Sequence, residues 1–250
     1  MNIEKYLNRI NFIGEVEPTL SVLIELQKVH LLNVPFENLD IHNGTIIELD
    51  LNKIYIKIIE SQRGGFCYEL NGLFYELLKS IGFDAEIVSA RVYDKKKVFG
   101  EEFDHLVIVV TLNDQKYLVD VGFGEFTFSP LLIKMDFVQN DERGQFKIEL
   151  FNENYFLVSN LIDKKWVSVY LFSLTTRKIS DFSNMCTYHQ SSSNSHFTQK
   201  RICTLPTIDG RKTLSNNTLK IKTNGRTKEV DIKNDEEVTK ILLKHFNIKI

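Results

Sequence analysis

The chain has 250 residues, of which 43% are hydrophobic and 26% charged, as in a folded globular protein with a substantial core. Its 31 basic and 33 acidic residues leave a net charge of -2, so the composition gives no reason to expect binding to nucleic acid or to an anionic membrane. The sequence has no apolar run long enough to span a bilayer and no apolar signal-peptide core at its start, and we expect a cytoplasmic protein.

Helical patterns dominate the beginning of the chain. Residues 1–10 form an amphipathic pattern, and a second apolar stripe runs from Leu20 to Leu31 before Pro35 interrupts it. A further helix is predicted after Asp50, whose carboxylate can cap it.

A fourth helical pattern begins at Cys67. Apolar residues recur at helical spacing from Leu70 to Ile81, and Gly82 is a candidate cap. Cys67 therefore lies in the first turn, where free backbone N–H groups and the helix dipole favour a thiolate. Gly64-Gly65 allows a tight turn just before it. Cys67 is a candidate nucleophile, and a small residue of the core is the alternative interpretation.

The other cysteines, Cys186 and Cys203, are far from Cys67 and from each other in sequence. An odd number of widely spaced cysteines with no CxxC spacing argues against a disulfide framework and against a zinc site. We expect three reduced thiols.

After Gly82 the apolar period changes to about two, which predicts a mainly antiparallel sheet. The alternating segments are residues 86–93, 103–112, 115–121, 146–151, 155–159 and 166–172. Residues 191–195 form a polar loop and Asn224-Gly225 predicts a hairpin. A closing helix, Glu236–Phe246, has a buried face that runs from Val238 to Phe246 and can be capped by Asn234 or Asp235.

His105 begins a segment that is apolar on both faces, so it needs a polar partner. If Asn113-Asp114 is a two-residue hairpin turn, Val107 faces Asp120, and Asp120 shares a face with His105 one diagonal away, roughly 7–8 Å at the backbone. A buried His–Asp pair can be purely structural. With a cysteine at a helix start, it forms the thiol, imidazole and carboxylate set of nucleophilic acyl transfer.

Four segments together resemble the arylamine N-acetyltransferase family. They are Val34-Pro35-Phe36-Glu37-Asn38-Leu39, Arg63-Gly64-Gly65-Phe66-Cys67-Tyr68-Glu69-Leu70-Asn71, Asp104-His105-Leu106 and Val119-Asp120-Val121-Gly122-Phe123-Gly124. The resemblance implies an α+β fold with a cysteine-protease or transglutaminase-like catalytic core. Its expected parts are an N-terminal helical bundle over residues 1–84, a central antiparallel β-barrel over residues 85–190 and a C-terminal α/β lid over residues 191–250.

The same resemblance implies an enzyme that moves an acetyl group from acetyl-CoA, its co-substrate, through a cysteine thioester to an arylamine, arylhydrazine or arylhydroxylamine. Cys67, His105 and Asp120 match the family's catalytic triad. Phe36, Phe123 and the more loosely similar Phe197 are expected to bind substrate. No permanently bound cofactor is implied, and no metal motif such as HExxH occurs, so we predict no metal.

Three alternatives stay open at this stage. One is an amide synthase of the same fold with another acyl donor. Another is a thiol hydrolase or transglutaminase-like enzyme, in which water or lysine accepts the acyl group. The last is a binding module, which would not need all three triad residues.

Overall fold

Helices fill the N-terminal part of the chain, as the apolar patterns predict. The computed structural model describes residues 1–94 and 98–249. Residues 95–97, in the predicted barrel, and residue 250, in the predicted lid, lie outside this range. The α-helices are Ile3–Arg9 (α1), Leu20–Asn33 (α2), Leu39–His42 (α3), Leu51–Tyr55 (α4), Cys67–Ile81 (α5), Ser183–Ser191 (α6), His196–Gln199 (α7) and Asp235–Phe246 (α8).

The predicted helix ends agree with the structure. The Asp50 carboxylate accepts hydrogen bonds from the Asn52 and Lys53 N–H groups and starts α4. Gly82 ends α5 with φ 105°, a left-handed conformation that favours glycine. The Asn234 side chain caps α8. One feature was not predicted: after Tyr55 the helix continues as a π-helical turn, Ile56–Glu60.

Thirteen strands within residues 1–94 and 98–249 form two antiparallel sheets. The larger sheet has the order β5-β4-β3-β2-β9-β8-β7-β6 and forms a nearly closed barrel. Its strands are Asp84–Val92 (β2), His105–Leu112 (β3), Gln115–Val119 (β4), Leu131–Leu132 (β5), Gln139–Asp141 (β6), Gly144–Leu150 (β7), Phe156–Ile162 (β8) and Lys165–Arg177 (β9).

The smaller sheet has the order β1-β10-β11-β12-β13 and joins distant parts of the chain. Its strands are Phe36–Glu37 (β1), Ile202–Thr207 (β10), Gly210–Ser215 (β11), Thr218–Thr223 (β12) and Arg226–Asp231 (β13). The apolar face of α8, with Val238, Leu242 and Phe246, packs with this sheet in one core cluster. The predicted α+β class is therefore confirmed, whereas the boundaries at residues 84 and 190 stay a prediction.

The hairpin that carries the histidine and the aspartate has the predicted register. Leu112 pairs with Gln115 and Ile108 with Val119. Asn113 and Asp114 both have positive φ, 49° and 63°, as a tight hairpin turn of two residues requires. The turn thus brings Asp120 to the same side of the hairpin as His105.

Within residues 1–94 and 98–249, we find no helix with the length and apolar character needed to cross a membrane.

Candidate active site

A cavity of about 270 Å³ collects most of the residues singled out in the sequence. It lies where the start of α5, the start of β3 and the segment before β10 meet. Phe36, Cys67, His105, Phe123 and Phe197 all line it. Asp120 is fully buried and lies behind His105, to which it is hydrogen-bonded.

Cys67 is the first residue of α5, and its position is fixed by the turn before it. The Glu69 carboxylate accepts a hydrogen bond from the Phe66 N–H, 3.1 Å away, which closes the first turn. On the opposite side, Gly122 lies against Cys67: a Cβ at Gly122 would stand 2.8 Å from Cys67 Cα. Only glycine allows the loop after Asp120 to approach the helix start this closely.

The sulfur of Cys67 lies in a protected position, since the residue is only 4% exposed. Burial raises the pKa of the Cys67 thiol, and the carboxylates of Asp104 and Asp120 raise it further, while a backbone hydrogen bond with Leu106 lowers it. The expectation that the helix start alone favours a thiolate is therefore wrong. A thiolate here needs a cation beside it, and the His105 imidazole lines the same cavity.

The His105 imidazole is oriented by Asp120. His105 Nε2 lies 2.8 Å from Asp120 Oδ2, and Nε2–H donates to this carboxylate. The second ring nitrogen, Nδ1, is then the one that can exchange a proton with a group in the cavity. His105 is 2% exposed, so this pair operates with little competing water.

The Asp120 carboxylate receives three further hydrogen bonds. Asn71 Nδ2 donates to Oδ1 at 2.8 Å, and the Gly122 N–H donates to the same atom at 2.9 Å. The Tyr170 hydroxyl donates to Oδ2 at 3.3 Å. Four donors therefore satisfy the oxygens of a fully buried carboxylate without a lysine or arginine.

Aromatic side chains form the walls of the cavity. The Phe123 ring packs edge-on against His105, with centroids 5.3 Å apart. Phe36 and Phe197 lie together on another wall, with ring centroids 6.0 Å apart. Flat apolar walls on both sides of a thiol and an imidazole can hold an aromatic ring and exclude water.

Three residues that the sequence analysis did not single out support these groups. Asn71 follows Cys67 by one helical turn within the same motif, so its spacing in the sequence could have placed it beside Cys67 on the helix. Tyr170 lies on β9, and no motif in the sequence around it marks it as a site residue. Asn38 holds the Phe197 segment, because its Nδ2 donates to Phe197 O at 2.9 Å and to Lys200 O at 2.8 Å.

The other two cysteines, Cys186 and Cys203, are buried free thiols outside this cavity. In the described part of the chain, residues 1–94 and 98–249, no three His, Cys, Asp or Glu side chains are grouped so as to hold a metal ion. The site offers a buried thiol, an oriented imidazole, a fixed carboxylate and aromatic walls. These are the groups required to move an acyl group by way of a thioester.

Comparison with known proteins gives full-length similarity. A family model described as N-acetyltransferase matches residues 19–250. The arylamine N-acetyltransferase of the pineal gland, isozyme NAT-10, from Gallus gallus is 34% identical over 275 residues, covering 100% of this chain and 95% of that relative.

Two solved structures are similar over nearly the whole chain. Arylamine N-acetyltransferase from Salmonella typhimurium has a TM-score of 0.93 and 26% identity, covering 98% of this chain and 90% of that one. The Mycobacterium marinum arylamine N-acetyltransferase in complex with CoA has a TM-score of 0.89 and 28% identity, covering 99% and 93% respectively.

Proposed function

Since this chain belongs to the arylamine N-acetyltransferase family, we propose that it transfers an acetyl group from acetyl-CoA to the nitrogen of an arylamine, arylhydrazine or arylhydroxylamine. The observation that carries the proposal is the placement of Cys67 and His105 on one cavity, with His105 Nε2 held 2.8 Å from Asp120. We assign Cys67, His105 and Asp120 as nucleophile, general base and orienting carboxylate.

In the first step Cys67 Sγ attacks the carbonyl carbon of acetyl-CoA while His105 Nδ1 takes the thiol proton. The bond between that carbon and the CoA sulfur breaks, and the imidazolium returns its proton to the departing CoA thiolate. Asp120 stabilises the transient imidazolium, which is why its buried charge matters. The burial that raises the pKa of Cys67 is offset while the imidazolium is beside the sulfur.

In the second step the acceptor nitrogen attacks the acetyl carbon on Cys67, and the bond to Cys67 Sγ breaks. His105 takes a proton from the nitrogen and delivers it to the Cys67 thiolate, which regenerates the resting enzyme. Phe36, Phe123 and Phe197 are assigned as the walls that stack the aromatic ring. A cavity of about 270 Å³ is small for a binding site, so donor and acceptor use it in turn.

Acetyl-CoA as donor is supported by the similarity to the Mycobacterium marinum enzyme, whose structure contains CoA. Two glutamates, Glu101 and Glu102, lie shortly before His105 in the sequence. The Glu102 carboxylate is engaged within the protein: it accepts a hydrogen bond from the Tyr155 hydroxyl at 2.6 Å and lies 3.8 Å from Arg177 Nη2.

We further propose a cytoplasmic location, which the three free cysteines support because reduced thiols are the rule there.

The test is intact mass spectrometry of the protein after exposure to acetyl-CoA, followed by 4-methoxyaniline. We expect one acetyl adduct, mapped to Cys67, that the amine removes as the N-acetylated product. Cys67→Ser should form no adduct, because a serine hydroxyl provides no thiolate for this His–Asp pair. Cys186→Ser and Cys203→Ser are the matched controls and should both form it.

Each other outcome points to an alternative. An adduct that disappears equally fast without amine indicates a hydrolase. An adduct that forms only with a larger acyl-CoA indicates an amide synthase type of donor. No adduct with any acyl-CoA contradicts the proposal.

A further inference from the structure

A second histidine–carboxylate pair borders the same cavity. His189 Nε2 lies 3.0 Å from Asp104 Oδ1, and Asp104 is the residue directly before His105. Asp104 lines the cavity together with Cys67, with its side chain 20% exposed, whereas His189 is buried. The reaction proposed above gives this pair no role.

Both members of the pair are held in place. Asp104 Oδ2 accepts a hydrogen bond from the Val92 N–H at 3.3 Å, so the carboxylate cannot turn away from the imidazole. On the far side of the ring, His189 Nδ1 lies 3.2 Å from Ser195 Oγ. A hydroxyl can donate to Nδ1 of a neutral imidazole or accept from Nδ1–H of a charged one, so both states of His189 are satisfied here.

The charge of Asp104 acts on Cys67. Among the carboxylates that raise the pKa of this thiol, Asp104 has a larger effect than Asp120. The other titratable groups around the sulfur are His105, His196 and Lys200 on the cavity, and Tyr68 and Cys186 in the same core cluster.

Around His189 itself, the titratable neighbours are Tyr68 on α5, Tyr188 on α6 and His196 on α7. Asp104 is its only acidic hydrogen-bond partner among residues 1–94 and 98–249. His189 is therefore the side chain placed to balance the Asp104 carboxylate directly.

We propose that His189 and Asp104 are positioning residues that set how readily Cys67 gives up its proton. A protonated His189 neutralises the charge of Asp104. The Cys67 thiolate is then repelled by Asp120 alone, and His105 compensates the charge of Asp120. A neutral His189 leaves the Asp104 charge uncompensated beside the sulfur, and the thiolate becomes harder to form. The inference rests on the proposed function, because it gives the pair a purpose only if Cys67 is the nucleophile.

The test is the rate of alkylation of Cys67 by iodoacetamide, a neutral reagent, measured from about pH 5 to pH 10 in the full-length protein. Cys186→Ser/Cys203→Ser is the background, so that only Cys67 reacts. Asp104→Asn removes the charge at constant shape and should lower the midpoint of the profile by about one pH unit. His189→Gln keeps a hydrogen-bond donor but can never carry a charge to offset Asp104, and should raise the midpoint.

Opposite shifts are the signature, since a loosened structure would move both variants in one direction. In the Asp104→Asn background, adding His189→Gln should shift the midpoint no further. Asp141→Asn is the control: its carboxylate accepts hydrogen bonds from Phe128 and Ser129 in the barrel, away from the cavity, so it should change the melting temperature but not the profile.

Unchanged midpoints, or midpoints that move the same way, overturn the inference. If Asp104→Asn does not fold, His189→Gln decides alone, because exposing the buried thiol would lower the midpoint rather than raise it. If His189→Gln does not fold, a lowered midpoint in Asp104→Asn supports the inference when its melting temperature is unchanged and overturns it when the melting temperature has fallen. Alkylation needs no acetyl-CoA, so this result is separate from the test of acetyl transfer. If the shifts are seen and acetylation is absent, the pair tunes a thiol with a different task, and the proposed function is what fails.

Discussion

Two buried clusters of polar and charged groups lie around the start of α5, and they consist of different kinds of residue. On one side Asp120 is held by an imidazole, an amide, a hydroxyl and a backbone N–H. On the other side is a salt-bridge cluster of three carboxylates and two cations: Glu37, Asp40, Lys57, Arg63 and Glu69.

The cluster ties together the chain segments around the helix start. Arg63 Nη2 lies 2.8 Å from Glu37 and 2.9 Å from Asp40, and Lys57 Nζ lies 2.7 Å from Asp40 and 2.8 Å from Glu69. Burial opposes the charge of Lys57, but Glu69, Glu37 and Asp40 outweigh it and raise its pKa. A lysine in this setting does not release its proton near neutral pH.

The difference separates two uses of buried charge next to one cysteine. In the cluster, despite burial, the carboxylates raise the pKa of Lys57 and of Arg63, so both cations keep their protons. Their ion pairs stabilise the turn that carries Cys67. In the Asp120 group one partner, His105, is an imidazole, and it is the side chain to which we assign the proton transfers. We therefore expect changes in the Asp120 group to alter rates and changes in the cluster to alter stability.

Asp120→Asn has the largest expected effect. The amide keeps the volume of the carboxylate but cannot stabilise the imidazolium and favours the wrong tautomer of His105, so acetylation of Cys67 should slow on the order of 10³- to 10⁴-fold. Stopped-flow release of CoA measures this step. A near-normal rate with an unchanged alkylation profile would mean that Asp120 is structural.

Lys57→Met is the converse test. It removes one cation from buried carboxylates, and the free energy of unfolding should fall by about 3–5 kcal/mol while the acetylation rate of the folded fraction stays close to normal. Urea unfolding measures the loss. Lys53→Met is the matched control on the same helix, because Lys53 pairs with Glu48 at the surface, and its stability should not change measurably.

The Lys57→Met deficit should also depend on pH. Burial raises the pKa of Glu69 in the folded protein, although Lys57 lowers it, so the folded pKa rises further without the lysine. A carboxylate whose folded pKa exceeds its unfolded value costs stability as the pH rises through that interval. The deficit should therefore be smaller near about pH 5 than near about pH 8, and a constant deficit would show that Glu69 does not depend on Lys57.

Phe123→Ala should have the smallest effect and should divide the two steps. Losing one aromatic wall removes about 0.5–1.5 kcal/mol of ring contact, so deacetylation by an arylamine should slow about 2- to 10-fold more than acetylation by acetyl-CoA. Separate timing of the two half-reactions measures this. Equal slowing of both, with a lower melting temperature, would show that Phe123 only packs beneath the turn, and Phe137→Ala at the surface is the control.

The sequence predicted elements whose signals are local. The Asn113-Asp114 turn set the β3–β4 register, and the apolar stripe from Leu70 to Ile81 set α5. Helix α6, Ser183–Ser191, was not predicted because polar residues dominate it and no apolar stripe marks it. The roles given to Cys67, His105 and Asp120 rest on motif resemblance and geometry, and stay predictions until the variants are measured.

Contacts between distant segments explain what the sequence did not predict. Tyr170 reaches Asp120 across the barrel, and His189 reaches Asp104 from a separate helix. The sequence around Tyr170 and around His189 contains no motif that marks either residue. Only the folded chain brings them to the cavity, so no periodicity or spacing rule could select them.

The short strand β1 has a consequence for the order in which the protein becomes active. Phe36 pairs with Thr204, and Asn38 Oδ1 accepts from the Ile202 N–H, a bond between residues 164 positions apart. Closing so large a loop is slow in folding, and during synthesis it must wait for the last fifth of the chain. A nascent chain released before β10 would contain Cys67, His105 and Asp120 but not the wall formed by Phe36 and Phe197. If the proposed roles hold, we expect Cys67, His105 and Asp120 to come together before the acceptor wall does, because that wall waits for the C-terminal sheet.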